Sequence, residues 1–145
     1  MEQDITIVLC HGTFDVLHLG HVRFLEQART LGDLLIVSVT DDPYVRFAKG
    51  PDRPRFTAAE RCEMLEALTC VTSTWIVHGP DGIPAIEKFA PHIYAKGWDY
   101  ASGTDLVFQR ERDEVEVRGG RVVCIEQPRI WSTTALLNGV THVAH

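Results

Sequence analysis

The sequence lacks an excess of positive charge. Its 145 residues include 14 Lys and Arg against 20 Asp and Glu, so the formal net charge is −6 at pH 7. A chain with this balance has no basic face broad enough to follow a nucleic-acid backbone, which argues against nucleic-acid binding. An anionic small substrate is still compatible with the sequence, because such a substrate needs only a few local cations.

Long apolar runs and paired cysteines are missing as well. No segment approaches the roughly 20 apolar residues of a membrane-spanning helix, and no signal peptide precedes the first predicted strand. Four cysteines occur, but none forms the Cys-x-x-Cys pair of zinc and redox motifs. We expect Cys10 and Cys124, which lie in apolar runs, to be buried thiols. We also expect no membrane contact and a cytoplasmic location.

Two common phosphate-binding patterns, Gly-x-Gly-x-x-Gly and Walker A, do not occur either. The composition that remains, 45% hydrophobic and 23% charged residues, is typical of a globular protein. The length predicts one domain over residues 1–145.

Short β-branched runs alternate with helical patterns along the chain. Strands are predicted at Ile5–Cys10, Leu34–Val39, Thr74–Val77, Ile93–Ala95 and Val122–Ile125. Helices are predicted at Leu19–Thr30, Thr57–Leu68, Ile83–Phe89, Asp105–Val117 and Thr133–Leu137. This alternation predicts the α/β class, with a Rossmann-like, doubly wound, five-stranded parallel sheet covered by helices on both faces. Ligands of such sheets bind at the carboxyl ends of the strands, so we look for the site there.

The loop after the first strand carries two histidines at a helix start. His18 and His21 are three residues apart, which places both imidazoles on one helical face. Gly20 between them and Gly12 before them leave room for a ligand to approach the backbone. Free backbone donors at a helix start favour phosphate, and two imidazoles there can stabilise a polyphosphate. Two ordinary cap histidines are the alternative, whereas a zinc site lacks a third ligand nearby.

Two short motifs in this segment carry a family resemblance. Gly12-Thr13-Phe14-Asp15 followed by His18-Leu19-Gly20-His21, an HxGH motif, resembles the cytidylyltransferase-like nucleotidyltransferases. That group includes glycerol-3-phosphate cytidylyltransferase and the nucleotidyltransferase domain of bacterial ADP-heptose synthase. The resemblance extends from Ile5 to about Val140. It implies catalytic roles for His18 and His21, contacts from Gly12, Thr13, Phe14 and Gly20 to the nucleotide, and a homodimer.

The resemblance assigns roles to residues in later loops. Lys49 matches a lysine that reaches the phosphates, so we class it as catalytic. Asp15, Asp42 and Arg61 match acceptor-binding positions. For Asp42 the alternative is an exposed turn or cap residue, and for Lys49 and Arg61 it is a solvated surface side chain.

Two further segments are assigned to the nucleotide. Lys96-Gly97-Trp98-Asp99-Tyr100 resembles the Lys-Gly-Gly-Asp-Tyr run of the heptose-phosphate enzymes, with Trp98 in place of a glycine. The resemblance implies that Lys96, Gly97 and Asp99 meet the base and ribose. The hydroxyls of Ser132, Thr133 and Thr134, with Arg129 just before them, are expected to contact the triphosphate, although Ser132 is also a simple helix cap.

The reaction implied by the resemblance is direct nucleotidyl transfer. An acceptor oxygen attacks the α-phosphorus of a nucleoside triphosphate, pyrophosphate leaves, and Mg²⁺ is held mainly by the triphosphate. The Gly-Thr-Phe-Asp motif favours CTP and a small phosphorylated or phosphonate acceptor. The Lys96–Tyr100 run and the Gly119-Gly120 pair favour the alternative, ATP with a sugar phosphate such as a heptose phosphate. A non-catalytic nucleotide-binding module is the third hypothesis. We expect Asp105–Val117 and the loop Asp41–Arg55 to shape the acceptor pocket.

Overall fold

The strands of the chain form a parallel sheet of the predicted kind. A computed structural model describes residues 4–126, so Arg129, Ser132–Thr134 and the last predicted helix lie outside the described residues. Five parallel strands are present in this part of the chain, in the order β3-β2-β1-β4-β5. Their bounds are β1 Ile7–Gly12, β2 Leu34–Thr40, β3 Ser73–Val77, β4 Ile93–Gly97 and β5 Arg121–Ile125.

The first strand lies at the centre of the sheet. β1 pairs with β2 from Ile7 opposite Leu34 to Gly12 opposite Val39, and it pairs with β4 on its other side. Because the chain runs from β1 outward to β3 and then returns to β4, the switch in strand order falls between β1 and β4. The loops that follow these two strands therefore flank the crevice where doubly wound folds bind ligands.

Helices cover both faces of this sheet. They are α1 Leu19–Arg29, α2 Asp42–Lys49, α3 Ala58–Glu66, α4 Ile83–Phe89 and α5 Leu106–Val117, and a short 3-10 helix follows β4 at Trp98–Tyr100. Leu25 of α1 and Leu65 of α3 belong to the core on one face, with Cys10 of β1. Ile86 of α4 and Val115 of α5 belong to the core on the other face. The predicted doubly wound arrangement is confirmed.

One helix occupies a segment that the sequence analysis treated as loop. α2 begins after Asp41, whose carboxylate accepts a hydrogen bond from the Tyr44 N–H at 3.3 Å, and Pro43 is in its first turn. It ends at Gly50, which has a φ of 106°, a conformation that glycine adopts without strain. The prediction of an irregular loop over Asp41–Arg55 was therefore wrong for its first half.

Two other expectations can be compared with the structure. The capping box of α3 is confirmed, because Thr57 Oγ1 accepts the Glu60 N–H at 3.2 Å and Glu60 Oε1 accepts the Thr57 N–H at 2.9 Å. All four cysteines are free thiols; Cys10 is buried, whereas Cys124 is only partly buried. Within residues 4–126, no helix is long and apolar enough to cross a membrane.

Candidate active site

A cavity of about 410 Å³ opens at the carboxyl edge of the sheet. Its wall combines the end of β1 and its loop, the ends of β2 and β4, the last residue of α2 and the first two turns of α5. Seven of the predicted site residues line it, namely Gly12, Thr13, Phe14, Asp15, His21, Lys49 and Lys96. The predicted location of the site is the location of this cavity.

His18 and His21 cap α1 through their own imidazoles. The Nδ1 atom of His18 accepts the His21 N–H at 3.4 Å, and the Nδ1 atom of His21 accepts the His18 N–H at 3.2 Å. The two rings stack with centroids 3.8 Å apart and planes 23° apart. This is a capping box built from two histidines, and it satisfies two backbone donors that a helix start otherwise leaves unpaired.

Burial determines the charge of both rings, and their hydrogen bonds determine which nitrogen carries the proton. Burial lowers the pKa of His18, and burial, His18 and Lys49 together lower the pKa of His21 to about 4. Both rings are therefore neutral at pH 7. Because each Nδ1 accepts a hydrogen bond, the proton of each neutral ring is on Nε2. The helix start thus presents two N–H donors without carrying a positive charge.

Phe14 and Gly12 determine where His21 lies. Phe14 has a φ of 52°, and its ring packs edge-on against the His21 ring with centroids 5.3 Å apart. A Cβ atom at Gly12 would lie 3.0 Å from the Phe14 ring, so a side chain there would displace it. Gly12 therefore has a packing role within the protein in addition to the predicted approach of a ligand.

Asp15 anchors a distant loop. Its side chain is fully buried, and its carboxylate accepts hydrogen bonds from Arg53 Nε at 2.9 Å, the Arg55 N–H at 2.7 Å and the Phe56 N–H at 3.0 Å. Burial alone would raise the pKa of Asp15, but these hydrogen bonds outweigh it and keep that pKa below its ordinary value. Asp15 is therefore saturated by protein donors. The structure gives Asp15 an anchoring role, and its predicted contact with the acceptor stays a prediction.

Arg61 and Asp42 brace the wall of the site from behind. Arg61 is fully buried and donates to the Thr13 carbonyl at 2.8 Å, the Phe56 carbonyl at 3.0 Å and Asp42 Oδ1 at 2.8 Å. Neither Arg61 nor Asp42 lines the cavity. Arg61, held by Asp42, thus positions Thr13, and the acceptor-binding role of both residues stays a prediction.

Lys49 is a cation of the cavity wall whose charge acts on His21. It is the last residue of α2 and lines the cavity. Partial burial and the nearby Arg53 lower the pKa of Lys49, while Asp15 opposes the shift. An ammonium at this position suits the phosphates of a nucleotide bound at the start of α1.

At the other end of the cavity, Lys96 faces a carboxylate that the sequence analysis did not single out. Lys96 is only 9% exposed, and its Nζ lies 4.0 Å from Glu111 Oε1 and 4.3 Å from the centre of the Tyr100 ring. Glu111 is 3% exposed and its Oε2 accepts the Gly82 N–H at 2.7 Å. A Cβ at Gly82 would lie 2.9 Å from that oxygen, which explains the glycine.

A pattern in α5 marks Glu111 in the sequence. It lies three residues after Phe108 and four before Val115, and both of these side chains are buried. An acidic residue on the apolar stripe of a helix is a signal for a buried, functional carboxylate. Asp81 was missed as well. It is 9% exposed, lines the cavity, and accepts a hydrogen bond from the Ile83 N–H at 3.0 Å where α4 begins.

His11 is another residue of the cavity wall without a predicted role. Its Nδ1 lies 2.8 Å from Ser38 Oγ and its Nε2 lies 3.3 Å from Thr40 Oγ1. Burial and the Lys96 charge lower the pKa of His11 to about 3, so the ring is neutral and ties the ends of β1 and β2 together. Of the other predicted residues, His18, Gly20, Gly97 and Asp99 do not line the cavity.

Comparisons with known proteins agree with this geometry. A model of the family "Cytidylyltransferase-like" matches residues 9–138. The bifunctional protein HldE of Pelobacter propionicus is 41% identical over 92% of this chain and 27% of its own length. HldE of Syntrophotalea carbinolica is 37% identical over 93% of this chain and 27% of its own length. The chain therefore spans about a quarter of the length of these curated relatives.

A solved structure supports the same assignment. The lipopolysaccharide core biosynthesis protein of Thermoplasma volcanium is 25% identical, superposes with a TM-score of 0.69, and matches over 86% of this chain and 98% of its own. The family model covers most of the sequence, including both motifs of the first loop. The fold, the motifs and the family match together establish that this chain belongs to the cytidylyltransferase-like family of nucleotidyltransferases.

Proposed function

We propose that this chain is an adenylyltransferase that transfers AMP from ATP to the phosphate of a sugar phosphate, such as a heptose phosphate. The observation that carries the transfer chemistry is the α1 helix start, where His21 and Lys49 line one cavity and the neutral His18 ring stacks on His21. ATP and a sugar phosphate are favoured over CTP by the HldE relatives and by the resemblance of Lys96–Tyr100 to the heptose-phosphate enzymes. This is the alternative of the sequence analysis rather than its first hypothesis.

The proposed reaction needs positioning and charge stabilisation. An acceptor phosphate oxygen forms a bond to the α-phosphorus, the bond from that phosphorus to the bridging oxygen breaks, and its electron pair leaves with pyrophosphate. The Nε2–H groups of His18 and His21 donate to the phosphate oxygens, where negative charge grows during the transfer. Lys49 neutralises the departing phosphates. No covalent intermediate with the protein is required.

Mg²⁺ fits this site as a companion of the triphosphate. Among the described residues, no group of three or more His, Cys, Asp or Glu side chains is arranged to hold a metal ion. Magnesium commonly reaches such sites on the phosphates with few protein ligands, and it would supply positive charge to the leaving group. Ser132–Thr134 and Arg129 keep their predicted role at the triphosphate as part of this proposal, and a homodimer also stays a prediction.

A panel of substrates tests the proposal. Pyrophosphate release is measured with ATP and with CTP, each with heptose 1-phosphate, mannose 1-phosphate and glycerol 3-phosphate. We expect the highest kcat/KM for ATP with a sugar phosphate, and a nucleoside diphosphate sugar in the mass spectrum. Faster turnover of CTP with glycerol 3-phosphate would restore the first hypothesis. Nucleotide binding without pyrophosphate release from any pair would favour the non-catalytic module.

A further inference from the structure

Lys96, one of the two lysines that line the cavity, has hydrogen-bonding capacity left for a ligand. Lys96 is nine-tenths buried, and its ion pair with Glu111, at 4.0 Å from Nζ to Oε1, is longer than a hydrogen bond. Its neighbours are the Tyr100 ring, at 4.3 Å from Nζ, and Glu111 Oε1, at 4.0 Å. An ammonium in a cavity wall whose carboxylate partner is beyond hydrogen-bond distance has N–H donors that a ligand oxygen can take up.

The gap between Lys96 and Glu111 has the width of one bridging oxygen. An oxygen placed about 2.8 Å from both atoms of a pair 4.0 Å apart would see them at roughly a right angle, which a hydroxyl accommodates. Glu111 Oε1 is the oxygen that pairs with Lys96, because the Gly82 N–H binds Oε2, and the buried Tyr94 hydroxyl lies beside the same carboxylate. The bridging group would accept from Lys96 and donate to Glu111.

The charges that line the cavity disfavour a phosphate at this gap. Asp81 and Asp105 line the same cavity as Glu111, although Asp81 also lies 3.7 Å from Arg110 Nη2. In the proposed function, the phosphates of the substrates bind instead at the start of α1 and at Lys49. A neutral, hydroxyl-rich part of the substrate suits the carboxylate-lined end, since hydroxyls can satisfy carboxylates without charge repulsion.

We propose that Glu111 and Lys96 together bind one hydroxyl group of the acceptor sugar and thereby select an acceptor that carries a hydroxyl at that carbon. The inference rests on the proposed function, because it takes the acceptor to be a sugar phosphate. A hydroxyl donates and accepts through a single oxygen, as the gap between Lys96 and Glu111 requires. Its removal leaves both buried charges unpaired, which is the basis of strong discrimination against analogues lacking a polar group.

The test compares full-length wild type with Glu111→Gln and, as a control, Glu114→Gln. The amide oxygen introduced by Glu111→Gln can keep the bond from Gly82, but the amide nitrogen presents an N–H donor towards Lys96 in place of an acceptor. Glu114 is on the same helix and forms a surface ion pair with Arg118. Mannose 1-phosphate and heptose 1-phosphate are titrated by calorimetry beside their monodeoxy analogues, and KM values for sugar and ATP are measured by pyrophosphate release.

We expect one monodeoxy sugar to bind wild type and Glu114→Gln about tenfold to a hundredfold more weakly than its parent. In Glu111→Gln the parent should bind as weakly as that analogue, with the KM for ATP changed less than threefold. Should Glu111→Gln not fold by thermal unfolding, Lys96→Gln replaces it with the same expectation, since it leaves Glu111 and its bond to Gly82 intact.

Three results would overturn the inference: wild type binds no sugar phosphate, all deoxy analogues bind like their parents, or Glu111→Gln keeps the discrimination. A loss seen only with 2′- or 3′-deoxy ATP would overturn the assignment to the acceptor, because the hydroxyl would then belong to the ribose. Hydroxyl discrimination without pyrophosphate release refutes the proposed function alone. Pyrophosphate release with no discrimination among the deoxy analogues refutes this inference alone.

Discussion

The double role of His18 can be separated by two substitutions. His18→Asn retains an N-cap acceptor, because the asparagine amide oxygen can take the His21 N–H that Nδ1 accepts at 3.4 Å. It removes the Nε2–H donor. His18→Ala removes both the cap and the donor. The two variants therefore differ in stability, whereas they share the loss of the group proposed to stabilise the transition state.

The magnitudes follow from the two roles. Loss of an N-cap costs about 1 kcal/mol, which lowers the Tm of a domain of this size by about 2–4 °C. We expect that loss for His18→Ala and at most half of it for His18→Asn. Loss of one transition-state donor lowers kcat by about a hundredfold or more, and both variants should show it. Urea unfolding measures the first effect, and pyrophosphate release under saturating substrates measures the second.

A matched control comes from the capping box of α3. Thr57→Ala removes a cap of the same kind from a helix start that does not line the cavity, and it should cost about 1 kcal/mol without lowering kcat. If His18→Asn keeps activity within threefold of wild type, the donor role of Nε2 is refuted. If His18→Asn is as unstable as His18→Ala, the histidine cap is not what stabilises the start of α1.

Further expectations concern one cation, one buried guanidinium and two imidazoles. Lys49→Ala should lower the rate of pyrophosphate release by about tenfold to a hundredfold through loss of a charge-assisted contact. Lys88 is an exposed lysine over the Trp75 ring, so Lys88→Ala should leave this rate unchanged. Equal rates in the two variants would remove Lys49 from the site. Arg61→Ala should cost about 3 kcal/mol in urea unfolding because it leaves buried acceptors unpaired, against less than about 0.5 kcal/mol for the exposed Arg121→Ala. Stability should also fall as the pH is lowered from 6.5 to about 4, because the unfolded chain protonates His21 and His11 over this range while the folded protein does not. His21 alone contributes about 2–3 kcal/mol, and a flat urea midpoint from pH 6.5 to 4.5 would contradict both pKa shifts.

Much of the fold follows from local patterns. Buried parallel strands appear as short β-branched runs, and Thr57 with Glu60 marks the start of α3. α2 was not predicted, because its start signals, Asp41 and Pro43, are equally typical of a turn after a strand. The apolar residues of this segment also show no clear helical periodicity, because Val45 is the one buried residue of α2 and Phe47 is 92% exposed.

The site was predictable where residues are close in sequence. The HxGH motif identified His18 and His21 correctly as neighbours on one helix face, but not as mutual caps, since histidine is an uncommon capping residue. The resemblance assigned Arg61 and Asp42 to the acceptor, but it did not show that the Arg61 guanidinium is buried against the Thr13 carbonyl. Glu111 was missed for a similar reason, as its partners Lys96 and Gly82 lie far away along the chain.

The anchoring of Asp15 has a consequence for attempts to exchange loops among relatives. The segment from β2 to α3 is an obvious target for altering acceptor preference, because it passes beside the cavity at Lys49. However, Arg53, Arg55 and Phe56 in that segment supply the donors that hold Asp15 in the first loop. A transplanted segment without these donors would leave the buried Asp15 carboxylate without hydrogen-bond partners. The two loops therefore behave as a single exchangeable module, and a chimaera should replace them together or keep residues 53–56.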